Sequence, residues 1–116
     1  MIDLDARLID FATAVMKLSN RLARSPAGRY VSSQLMRASA SAGANYQEAC
    51  GAESRADFVH KLQIVLKELR ESGYWLRLID RSGMAPGESL KALLDESEQL
   101  VKILAKSVVT AKSRAK

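Results

Sequence analysis

The stretch SRADFVHKLQIVLKELRESGYWLRLIDR (54–81) decides the fold. Its apolar residues fall at Phe58, Leu62, Val65, Leu69, Leu76 and Ile79, with Ser72 where the next member of the series belongs. Steps of three and four residues put these side chains on one stripe of a helix. No proline interrupts the stretch, and Gly73 is its sole interior glycine. Such a helix is about 40 Å long at ~1.5 Å per residue. It cannot bury its stripe alone, so the rest of the chain must supply partners.

Working outward, the stretch is bounded by two breaks. CGAES (50–54) precedes it: Gly51 fits a C-cap, and Ser54 fits an N-cap with Asp57 three residues on. RSGMAPG (81–87) follows it and is the clearest loop in the chain. Beyond that loop, Leu90, Leu93, Leu94, Leu100, Ile103 and Leu104, interrupted by Ser97, predict a fourth helix over about 88–109. Before the first break, YVSSQLMRASASAGANYQEA (30–49) alternates Ala with Ser and Gly in its second half. Alanine is a poor strand former and a strong helix former, so the segment predicts a helix over about 29–49 rather than a strand. Val31, Leu35, Ala38, Ala42, Asn45 and Ala49 then line one side. Gly43 costs ~1 kcal/mol of helix propensity relative to Ala. Close approach of a neighbouring helix is the expected compensation, which makes Gly43→Leu an expected strong destabiliser. SPAGR (25–29) reads as a stop. Ahead of it, Leu8, Ile9, Ala12, Val15, Met16, Leu18 and Leu22 predict a first helix over 5–23, capped by Asp3 or Asp5.

Four amphipathic helices joined by short breaks read as an all-α, antiparallel up-down-up-down four-helix bundle. Residues 1–112 form the expected single domain, with 113–116 as a disordered basic tail. The chain has 116 residues, 47% apolar and 5% aromatic, so the core must be built from Leu, Ile, Val and Ala. One cysteine excludes an internal disulfide framework and a thiolate zinc cluster, and fits a cytoplasmic setting. No apolar run approaches the ~18 residues of a membrane span. The net charge of +5 is C-terminal: residues 101–116 hold five basic side chains and no acid, while residues 1–100 balance. Residues 11–47 also lack acids and carry Lys17, Arg21, Arg24, Arg29 and Arg37. These regions either attract phosphate or form a solubilising tail and one basic face.

Identities in addition to periodicity carry a resemblance. In QLMRASASAGANYQEA (34–49) they are Gln34, Leu35, Arg37, Ala44, Asn45 and Glu48. In the long helix they are Asp57, Phe58, Lys61, Leu62, Lys67, Glu68, Glu71, Tyr74, Trp75 and Leu76. The chain resembles the bacterial four-helix-bundle family called the 23S ribosomal RNA intervening-sequence proteins. It departs at Met36, where the family often has a second Arg, and at Ala40, where Thr is common. The resemblance implies a left-handed antiparallel bundle that assembles into a cyclic homopentamer. It fixes no molecular function. A related group of accessory proteins from diversity-generating retroelements binds nucleic acid, which raises that expectation here.

The chemistry-bearing residues exclude more than they assign. Glu48, Glu68 and Glu71, with Arg37, Lys67 or Arg70, read as an ion network, and Gln34 and Asn45 as polar groups at a packed boundary. A di-iron site needs two Glu-x-x-His elements, and the chain has one histidine, His60, preceded at i−3 by Asp57. No metal or cofactor is expected. Cys50 has no evident base, and the glycines form no phosphate loop, so no enzyme is expected. A nucleic-acid module would use Arg24, Arg29, Arg37, Lys102 and Lys106 through phosphate contacts. Tyr74 and Trp75 lie off the main stripe and either pack on the second helix or contact another subunit. The competing function is a ring that docks a protein partner.

Overall fold

The computed structural model describes residues 3–85 and 87–114. They form four helices in order: α1 (Leu4–Leu22), α2 (Pro26–Cys50), α3 (Arg55–Ser82) and α4 (Glu88–Arg114). Each helix packs against its two neighbours in a ring of seams, α1 on α2, α2 on α3, α3 on α4 and α4 on α1, the last being the sparsest. The rod measures 48 × 20 × 20 Å, so its cross-section is square. This is the all-α four-helix bundle that the spacing of apolar residues predicts.

The long helix behaves as its stripe requires. Ser54 caps α3 by accepting from the Asp57 amide at 3.0 Å, and Gly83 ends it in the left-handed conformation (φ 73°) that an L side chain resists. Leu62, Val65, Leu69, Leu76 and Ile79 are buried, and Phe58 is half-buried. The serine in the stripe is explained: Ser72 is fully buried and donates to the Glu68 carbonyl at 2.9 Å, so its hydroxyl is satisfied inside its own helix.

Four local expectations are corrected. SPAGR does not simply stop α1. Ser25 is the N-cap of α2 and Pro26 its first residue, where a missing N–H costs nothing. The first helix buries Phe11 and leaves Ile9 and Met16 more than half exposed. More apolar residues sit on α1 than one stripe can hold, and the surplus lies outside. Close approach occurs at Gly28 rather than Gly43. A Cβ on Gly28 would run into the backbone carbonyl of Leu22, whereas one on Gly43 would meet Leu8 Cβ at an ordinary 3.8 Å. Finally, α4 continues through Ser113 and Arg114, burying Val108 and Ala111, so these two residues are helical rather than a disordered tail. Residues 115 and 116 of that expected tail lie outside the described residues.

Candidate functional site

Five of the polar residues that carried the resemblance, Arg37, Glu48, Lys61, Glu68 and Glu71, meet at the seam between α2 and α3. Arg37, midway along α2, reaches across to two carboxylates one turn apart on α3. Its Nη1 donates to Glu68 Oε2 at 3.1 Å and its Nη2 to Glu71 Oε2. Trp75, a further turn along, donates its indole N–H to the same Glu71 oxygen at 3.0 Å. The spacing 68, 71, 75 is what places all three side chains on the face of α3 that meets α2. Glu68 is only 7% exposed, so Arg37 supplies the countercharge a buried carboxylate needs. The Trp75 indole, and after it the Arg37 guanidinium, holds Glu71 below the usual carboxylate range. In return Glu71, with Glu68 behind it, holds the Arg37 proton more firmly than usual.

Trp75 is also the centre of an aromatic group. Tyr30 from α2 meets it edge-on with centroids 5.9 Å apart, and Tyr74 meets it edge-on at 5.0 Å. Trp75 is half-buried, whereas Tyr30 is 60% and Tyr74 50% exposed. Of the two expected roles, packing on α2 is taken by Trp75, while Tyr74 looks outward. Tyr30 was not among the residues singled out from sequence. The signal for it was the register of antiparallel helices, since Arg37 opposite Glu68 places residue 30 about two turns on, near residue 75. Near the opposite end of the seam Lys61 donates to Glu48 at 2.9 Å. Asn45 finds its partners within α2, at the Ser41 carbonyl (2.9 Å) and hydroxyl (3.1 Å). Gln34 is half-buried three residues before Arg37.

The five cations expected to hold phosphate are not brought together. Arg37 is corrected: two carboxylates already occupy its guanidinium. Arg24 and Arg29 are exposed around the α1–α2 turn, at one end of the rod. Lys102 and Lys106 are exposed in the second half of α4, which runs away from that end; Lys106 stands about 27 Å from the start of its helix. Among the described residues no cluster of three or more His, Cys, Asp or Glu side chains could hold a metal ion. No helix among them is long and apolar enough to cross a membrane.

The seam between α1 and α2 has the opposite character. An apolar groove of about 390 Å³ runs along it, with Ala40, Gly43 and Ala44 as one wall and Ile9, Thr13 and Met16 as the other. Met36, 37% exposed, lies one helical turn from Ala40.

Comparison with known proteins places this architecture. A Bacteroides thetaiotaomicron protein of unknown function from the S23 ribosomal protein family, known from its crystal structure, is similar with a TM-score of 0.84. The two are 33% identical over 90% of this chain and 97% of that one. Comparison with the curated proteins finds no match. The family model described as 23S rRNA-intervening sequence protein matches residues 4–106, from the first residue of α1 to well into α4. The chain belongs to the 23S rRNA-intervening sequence protein family.

Proposed function

We propose that this protein is a non-enzymatic, cytoplasmic module that assembles with itself into a closed ring and grips nucleic acid through phosphate contacts. The observation that carries the reading is a pair of unlike apolar patches on adjacent faces. One lies on the α1–α2 seam, around Ile9, Met16 and Met36. The other lies at the α2–α3 seam and on the outer side of α3, around Tyr30, Tyr74 and Leu78. Unlike patches that fit each other make head-to-tail contacts, and these close into rings when the two faces meet at the right angle. Adjacent seams of a square bundle face about 90° apart, and rings of four and five subunits need about 90° and about 108°. The pentamer implied by the family resemblance falls in that range. A ring repeats every exposed cation, so Arg24, Arg29, Lys102 and Lys106 act together although they are scattered on one chain.

Light scattering tests the ring, with the mass of several protomers expected and a monomer at micromolar concentration contradicting it. Gel shifts with RNA and DNA test the second half. Binding should fall steeply with added salt, because phosphate contacts release counterions. No shift even at low salt would remove nucleic acid from the reading. A ring that docks a protein partner is the second reading, in which the exposed Tyr30 and Tyr74 face that partner instead of the next subunit. Co-purified material that resists nuclease and forms a stoichiometric polypeptide would select it.

A further inference from the structure

A groove of about 550 Å³ lies at the end of the rod where α3 begins and α4 ends. Its floor is apolar, made by Phe58, Leu62, Ile103 and Ala111. Its rim carries Arg55, Lys106 and Arg114, and no acid lines it among the described residues. Neither α1 nor α2 contributes a lining residue. Hydrogen bonds from α1 to α4 are made at Ser89, Glu96 and Gln99, and none lies further along α4 among the described residues. Among the described residues the groove is therefore a trough between two antiparallel helices, α3 and α4, alone.

We infer that this groove docks an acidic amphipathic helix of another protein. The shape favours it: two antiparallel helices flanking an apolar trough form the seat in which a third helix places residues at i, i+3, i+4 and i+7. The charge favours it too, because three cations without an acid match carboxylates flanking that stripe and repel a basic helix. A nucleic acid strand fits less well. Phosphate contacts alone would use the rim cations but leave the apolar floor uncovered. The Arg55 guanidinium already covers the Phe58 ring, 5.4 Å from its centroid. That stacking leaves the outer edge of the guanidinium free to donate to a carboxylate. The surface is separate from the two ring-forming patches, so the assembly displays one such seat per protomer.

Fluorescence anisotropy with a labelled synthetic peptide provides the test. The probe carries Leu at i, i+3, i+4 and i+7 with Glu between them, and its control carries Lys in place of Glu. The full chain should bind the acidic probe at least about tenfold tighter than the basic one. Arg55→Glu with Lys106→Glu should weaken it by about tenfold or more. Thr110→Trp keeps every charge but fills the trough from an exposed position, and it should abolish binding while the melting temperature and the mass by light scattering stay unchanged. Equal binding of the two peptides, or of neither, overturns the inference. So does retained binding by Thr110→Trp, which would put the peptide elsewhere, and so does displacement of the peptide by a single-stranded oligonucleotide at lower concentration than unlabelled peptide. The ring is read separately by its mass, so either idea can fail without the other.

Discussion

On the side of α2 that faces α1, Ala40, Gly43 and Ala44 stand across an apolar groove from Ile9 and Met16, and the polar contact is Gln47 with Asp5 at one end. On the side that faces α3, Arg37, Glu68, Glu71 and Trp75 share their hydrogen bonds in one network, with Lys61 and Glu48 further along. One helix thus holds its two neighbours by different physics. Packing against α1 gains from area removed from water, which is tolerant of register. Packing against α3 places a nearly buried carboxylate beside one arginine, and only one register satisfies it. The α3 side fixes how the bundle is assembled, while the α1 side is left with apolar surface to spare.

The contrast can be broken or sharpened by substitution. The largest effect is expected at Gly28→Ala, where the added methyl meets the Leu22 backbone and the α1–α2 corner must open. A loss of about 3 kcal/mol is expected by denaturant titration, at the upper end of overpacking costs. An unchanged midpoint would show that the corner yields freely. Next is Arg37→Ala, which leaves Glu68 nearly buried without its countercharge. The expected loss is about 2 kcal/mol, below the full cost of a deeply buried pair because the Arg37 side chain is half exposed. A double-mutant cycle with Glu68→Gln should show coupling, and additive effects would mean the pair contributes nothing. Gly43→Ala should do the reverse and raise stability by about 0.5–1 kcal/mol, because a methyl there meets only Leu8 at contact distance and helix propensity improves.

The smallest effect is pH-dependent. Glu71 has its carboxylate stabilised in the folded state, so its contribution is fully present above the ordinary value of 4.5 and is lost as pH falls through the lowered folded value. Wild type should therefore exceed Glu71→Gln in stability at neutral pH, with the gap closing as the solution is acidified below 4.5. A gap that stays constant into acid would show that Glu71 acts through packing alone.

The same contrast explains what the sequence disclosed. The α3 stripe was legible because its period is clean and its caps, Ser54 and Gly83, are ordinary ones. The ion network was legible by residue identity, since Arg37 and the two glutamates sit at helical spacing on segments that must run antiparallel. The α1 side was not. Ile9 and Met16 look like core residues in a list of apolar positions, and only the burial of Phe11 shows where the stripe is centred. Gly28 was hidden in what reads as a loop, because Pro26 signals both the end of one helix and the start of another. The groove at Arg55, Lys106 and Arg114 joins positions about fifty residues apart in sequence, and no local pattern connects them.

The central claim is that the spare apolar surface on the α1 side of one protomer meets the aromatic surface on the α3 side of the next. Ile9→Glu with Met16→Glu disables the first patch, and Tyr74→Glu with Leu78→Glu disables the second. Each variant alone should be monomeric by light scattering, and an equimolar mixture should form a dimer, because each partner retains the patch the other lacks. Two variants that stay monomeric when mixed, or that form full rings alone, would contradict it.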